Sequence, residues 1–77
     1  MKALIEFIAR SLVEHSEDVS VQEHRNGNRV NLELRVAKED MGRIIGRNGR
    51  VVNAIRTLLR VTAERDNLRV TLDVIEP

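Results

Sequence analysis

The spacing of hydrophobic positions changes along this chain, and each change marks an element. From Ala3 to Val13 the apolar residues Leu4, Ile5, Ile8 and Leu12 share one face at 3.6 residues per turn while Glu6, Arg10 and Glu14 turn away, which predicts an amphipathic helix. Val19 and Val21 open a period of two that Val30, Leu32, Leu34 and Val36 continue, with Asn31, Glu33 and Arg35 on the other face, so two strands are expected. Between them lies Asn26-Gly27, the dipeptide best able to take the positive φ angles of a type I′ turn, and the strands should pair as an antiparallel hairpin. Lys38 to Ile45 reads as a short helix with Glu39 or Asp40 near its start, where negative charge suits the helix dipole. Gly46 and Gly49 interrupt it. A longer helix from Arg50 to about Arg65 places Val51, Val52, Ile55, Leu58, Leu59 and Thr62 on one broad face. Asp66-Asn67 breaks that pattern, and Leu68, Val70, Leu72 and Val74 alternate with Arg69, Thr71 and Asp73 as a last strand.

This order predicts a compact two-layer α+β fold, α-β-β-α-α-β. If the last strand lies beside the second, the intervening helices form a right-handed crossover and that pair must be parallel. The sheet is then three-stranded and mixed, with the three helices covering one face and the other face solvated. A length of 77 residues sets one domain, residues 1–77, as the ceiling. A domain near this length buries only roughly 60% of the surface its unfolded chain exposes, so a partner would add much and dimerisation is expected.

Composition narrows the functional classes. There is no cysteine, which removes disulfides and thiolate zinc sites and suits a reducing cytoplasm. The first helical stretch carries Glu6, Arg10 and Glu14 and lacks a small-residue cleavage site, so it does not read as a signal peptide, and no apolar run approaches the length of a membrane span. A soluble, cytoplasmic protein is expected. The net charge is only +1, yet residues 41–60 hold five arginines (Arg43, Arg47, Arg50, Arg56 and Arg60) and no acid, against eight acids and six bases in residues 1–40.

The informative stretch is Met41-Gly42-Arg43-Ile44-Ile45-Gly46-Arg47-Asn48-Gly49-Arg50-Val51-Val52. Two glycines three apart between helices allow a sharp turn and leave no side chain to keep phosphates from main-chain N–H groups. The next helix begins near Arg50, so its N-terminal amides and positive dipole end face the same anion, with Arg47 and Arg50 adding charge. Such contact positions a nucleic-acid strand without reading its sequence. Base recognition would fall to an apolar groove between the short helix, the loop, the long helix and a strand edge. With no Trp, no Tyr and a single Phe, stacking on aromatic platforms is nearly excluded.

Ile44-Ile45-Gly46-Arg47-Asn48-Gly49-Arg50-Val51-Val52 resembles the I-I-G-x-x-G-x-x-[IV] signature of KH domains, and the element order around it is that of the type II class. The resemblance covers the whole chain. In that family the G-x-x-G loop clamps a backbone of about four nucleotides of single-stranded RNA or DNA. Among type II domains a chain of this size is similar to the bacterial KhpA (YlqC-like) family. The resemblance implies a cytoplasmic RNA-binding protein or RNA chaperone that forms homodimers and pairs with a KhpB (Jag or EloR) protein, with links to RNA regulation and cell shape. Carried over, Gly46 and Gly49 supply backbone closeness, Arg47 and Asn48 the loop contacts, Ile44, Ile45 and Val52 the groove and its support, and Arg50 and Arg43 adjacent charge. Val52 stands where Ile is frequent.

Plainer readings stand beside these. The glycine loop could be an ordinary turn between helices; no Lys-Ser or Lys-Thr follows Gly49, so it is not a Walker loop. Arg56 and Arg60 fit a solvated helix face as well as an RNA contact. His15 and His24 are isolated in sequence, the paired carboxylates sit at element boundaries, and no nucleophile has a base, so neither a metal, a cofactor nor an enzyme is expected. Ala54, Leu58 and Val61 run along the flank of the long helix's core face; either the N-terminal helix covers them or they form a dimer seam. The competing functional class is an interaction module that mainly pairs with another KH protein and has little RNA affinity.

Overall fold

A computed structural model describes residues Met1–Pro77. The elements are α1 (Lys2–Leu12), β1 (Ser20–Asn26), β2 (Arg29–Arg35), α2 (Met41–Ile45), α3 (Arg50–Arg65) and β3 (Arg69–Ile75), with single 3-10 turns at Ser16–Asp18, Lys38–Asp40 and Arg47–Gly49. The sheet order is β1-β2-β3, antiparallel between β1 and β2 and parallel between β2 and β3. The three helices pack on one face, where Ile5, Leu32, Leu34, Ile44 and Leu59 are fully buried. The α+β architecture with a mixed three-stranded sheet is therefore the one its hydrophobic periods predict.

Several details depart from the pattern. The hairpin turn sits one residue later than Asn26-Gly27: Asn26 pairs with Arg29, so Gly27 and Asn28 are its central residues. Only Gly27 has positive φ (62°), as a type II′ turn with glycine first requires, rather than the expected type I′. The short helix opens as the 3-10 turn Lys38–Asp40 and becomes α-helical only at Met41. On α1 the most buried positions are Ile5 and Ala9, with Leu4 and Leu12 at the margin. On α3 the core stripe is Val52, Ile55, Leu59 and Ala63, one step per turn. Leu58 and Thr62 leave that stripe, and Thr62 turns its hydroxyl back to the Leu58 carbonyl at 2.9 Å.

Two chain reversals fix where β3 begins. At the end of α3, Asn67 takes the left-handed conformation (φ 55°), the Leu68 N–H bonds the Ala63 carbonyl at 2.9 Å and the Asn67 N–H bonds Glu64 at 3.2 Å. This is a Schellman closure with asparagine in the usual glycine place. The Arg69 N–H then donates to the Asn28 carbonyl of the hairpin turn at 2.7 Å. As a result α3 spans the sheet from the glycine loop to the hairpin end, and β3 returns along it as an outer strand.

Candidate nucleic-acid interface

Between α2 and α3 the backbone takes three positive φ angles in four residues: Gly46 (76°), Asn48 (57°) and Gly49 (76°). Gly46, with ψ 173°, lies in a region that only glycine occupies readily. A Cβ there would sit 2.9 Å from the Val51 backbone nitrogen and collide with the Val51 side chain. Asn48 is of a residue type that tolerates the left-handed region, and Gly49 in the same region caps α3. No side chain caps that helix start and its first turn holds no acid. Its amides and the exposed Arg47 and Arg50 therefore present one positive end, to which an anion is the natural complement.

The residues beneath the loop are set by packing. Ile44 has no exposed surface and Val52 only 6%, so both support the loop from the core and offer no surface to a ligand. Ile45 is the accessible one of the three. Arg43 does not join the loop charge: its guanidinium donates to Glu14 at 2.6 Å and lies 3.5 Å from Asp40. Its place is a brace between α2 and the end of α1.

Asp40 is the buried centre of that brace. It is 1% exposed, and its two carboxylate oxygens accept the Glu14 and His15 backbone N–H groups at 3.1 and 3.0 Å. Burial alone would raise its pKa. The two backbone bonds and the charges of His15 and Arg43 outweigh it and hold the carboxyl below the ordinary value. Asp40 stands at the start of α2, as expected, and it also tethers the chain after α1. The histidines also have company: half-buried His15 lies with the exposed Glu17 and Asp18 next to it in the chain, and His24 Nε2 is 2.8 Å from Glu33 across the hairpin.

Further along α3, from Arg56 onward, a groove of about 380 Å³ runs between that helix and the free edge of β3. Only Leu59, Val70 and Leu72 of its lining are apolar; Arg56, Arg60, Thr71 and Asp73 make it more polar than expected. Arg56 is neither a free surface charge nor a loose one. Its Nε and Nη2 donate to the Leu72 carbonyl at 3.2 and 3.0 Å, which fixes the guanidinium plane across the groove. Phe7, the one aromatic residue, is 70% exposed on α1 and does not line the groove. On the outward side of α3, Leu58 and Val61 are 55% and 50% exposed, so α1 does not cover them; Ala54 is exposed beside them.

A family model described as the KhpA/KhpB KH domain matches residues 2–74. The chain belongs to the KhpA/KhpB family of KH domains. Its relatives include RNA-binding protein KhpA of Halalkalibacterium halodurans, 43% identical over 76 residues, or 99% of this chain and 100% of that protein. RNA-binding protein KhpA of Clostridium perfringens is 45% identical over 75 residues, 97% of this chain and all of the relative. RNA-binding protein KhpA of Chlamydia trachomatis is 45% identical over 76 residues, 99% of this chain and 97% of its own length. No solved structure gave a significant match. KhpA is a family of KH-domain RNA-binding proteins and not of enzymes. No helix is long and apolar enough to cross a membrane.

Proposed function

We propose that this KhpA-family chain binds single-stranded RNA, holding the sugar-phosphate backbone at Gly46-Arg47-Asn48-Gly49 and passing the bases into the groove beside β3. The observation that carries the reading is the loop's run of positive φ angles leading straight into an uncapped, acid-free helix start. Such a surface offers main-chain donors at close range, and Arg47 and Arg50 add charge without reading bases. Ile45 is the accessible apolar residue next to the loop, while Ile44 and Val52 support the loop from the core. The test is fluorescence anisotropy of a short labelled RNA with wild type and an Arg47→Asp, Asn48→Asp double variant at two salt concentrations, both proteins being folded by circular dichroism. Binding by wild type should weaken as salt rises and vanish in the variant; equal binding by both proteins would move the site elsewhere.

The exposed Leu58 and Val61 favour a further part of the reading, in which α3 pairs with another KH domain through Ala54, Leu58 and Val61. The partner is a second copy or a KhpB-type (Jag or EloR) protein, and a pair carries two loops, which raises avidity for RNA. The cellular setting would be cytoplasmic RNA regulation and cell-shape control. Val61→Asp should give a folded monomer by light scattering at micromolar concentration. If loop charge reversal leaves RNA binding intact while Val61→Asp abolishes partner capture, pairing rather than RNA is the main role.

A further inference from the structure

The hairpin end of the sheet, opposite the glycine loop, carries positive charge that nothing in the fold neutralises. Parallel pairing sets Arg29 of β2 directly beside Arg69 of β3, and like charges at paired positions work against a sheet. Arg25 stands close by on β1. The three share a concavity of about 530 Å³ with His24, Asn31 and Thr71 among its walls. None of the three arginines forms an ion pair; those of the fold are made by Arg10, Arg43, His15 and His24. Of the two acids on the same sheet face, Glu33 is held by His24 at 2.8 Å, and Asp73, its register partner, is engaged by Asn31.

The concavity continues along α3 as far as Arg56. It shares Arg69 and Thr71 with a second depression at the end of α3, which shares Arg60, Val70 and Thr71 with the groove along β3. Arginines thus recur from Arg47 and Arg50 through Arg56 and Arg60 to Arg69 and Arg29. They follow α3, whose 16 residues span about 24 Å at 1.5 Å per residue. Two carboxylates flank the way: Asp73, which Asn31 Nδ2 engages at 3.1 Å, and Glu64. Positive charge thus stands at both ends, and between them the arginines outnumber the two carboxylates.

We infer that the hairpin end is a second phosphate-binding site, and that it takes the continuation of the strand whose first nucleotides the glycine loop holds. This rests on the reading of the loop as an RNA clamp. Arg29 and Arg69 bind phosphodiester oxygens there, and their mutual repulsion in the free protein is relieved by the bound anion.

The test compares an RNA of about 4 nucleotides, the span of the clamp, with one of about 12, within the ~4–16 range of single-strand sites. Wild type is set against Arg29→Gln, Arg69→Gln, which removes a like-charge pair and so keeps its thermal midpoint at or above that of wild type. The variant should lose roughly tenfold or more in affinity for the longer RNA, with unchanged binding of the shorter. Its salt slope on the longer RNA should fall by about 1.4, at ~0.7 for each phosphate no longer neutralised. Equal affinity of wild type and variant for the longer RNA overturns the inference, including the case in which length helps only by recruiting a second protomer. If wild type fails on the short RNA while the longer one depends on Arg29 and Arg69, the loop reading falls and the hairpin site stands.

Discussion

The two ends of α3 build a positive surface by different means. At the glycine loop the charge comes largely from the backbone, through left-handed residues and the uncapped amides of a helix start. At the hairpin end it comes from side chains alone, brought together by strand register. The first kind of site has its shape dictated by a few positions and tolerates little change at them. The second makes no conformational demand on its arginines, so they can be exchanged with small cost to folding.

Substitutions that separate shape from charge sharpen this contrast. The largest effect is expected at Gly46→Ala, which combines a glycine-only conformation with a collision against Val51. Urea denaturation should show a loss of about 2–4 kcal/mol, near the upper end for such strain. Next comes Asp40→Asn, which keeps the shape of the brace but removes the charge that accepts the Glu14 and His15 amides. Because the folded carboxyl titrates below its unfolded value, its contribution is complete above about pH 4. It fades as pH falls through the lower folded value. Thermal midpoints measured from neutral to acid pH should therefore fall for wild type in that window, and the Asp40→Asn protein, with no charge to lose there, should show a flatter profile. A smaller loss, about 1–2 kcal/mol, is expected for Gly49→Ala, where φ is positive but the nearest atom to a new Cβ is Asn53 Nδ2 at 3.5 Å. At the hairpin end Arg29→Gln should leave stability unchanged or raise it by about 0.2–1 kcal/mol, since a like-charge neighbour is removed. A clear destabilisation there would mean that the hairpin end, like the loop, has its shape tied to particular residues.

The same contrast explains what the sequence shows and what it hides. The helices and strands are legible because burial on one face imposes a period, and α3 begins and ends where its pattern does, at Arg50 and Arg65. The glycine loop is legible because backbone demands leave a signature in residue type. The brace at Asp40 is not, because its partners are main-chain amides 25 and 26 residues away that any sequence would supply. Nor is the pairing of Arg29 with Arg69, forty positions apart, which needs the register of a parallel strand pair to be known. Arg56 looks like a solvated helix residue until β3 is laid beside α3. The turn falls at Gly27-Asn28, one position from the expected place, because a tight turn places glycine according to the hand of its φ, and two adjacent registers satisfy the same dipeptide.

The fork of Arg56 has a consequence for the chain among its own copies. β3 is an outer strand, and a bare strand edge is a template on which another chain can extend the sheet. Near the middle of that edge the Leu72 carbonyl already receives two N–H donors from Arg56. An incoming strand would have to evict a charged, planar group from the acceptor it needs. The arginine thereby acts as a guard against sheet-to-sheet aggregation, and a concentrated solution of an Arg56→Ala protein should gather into larger species sooner than wild type.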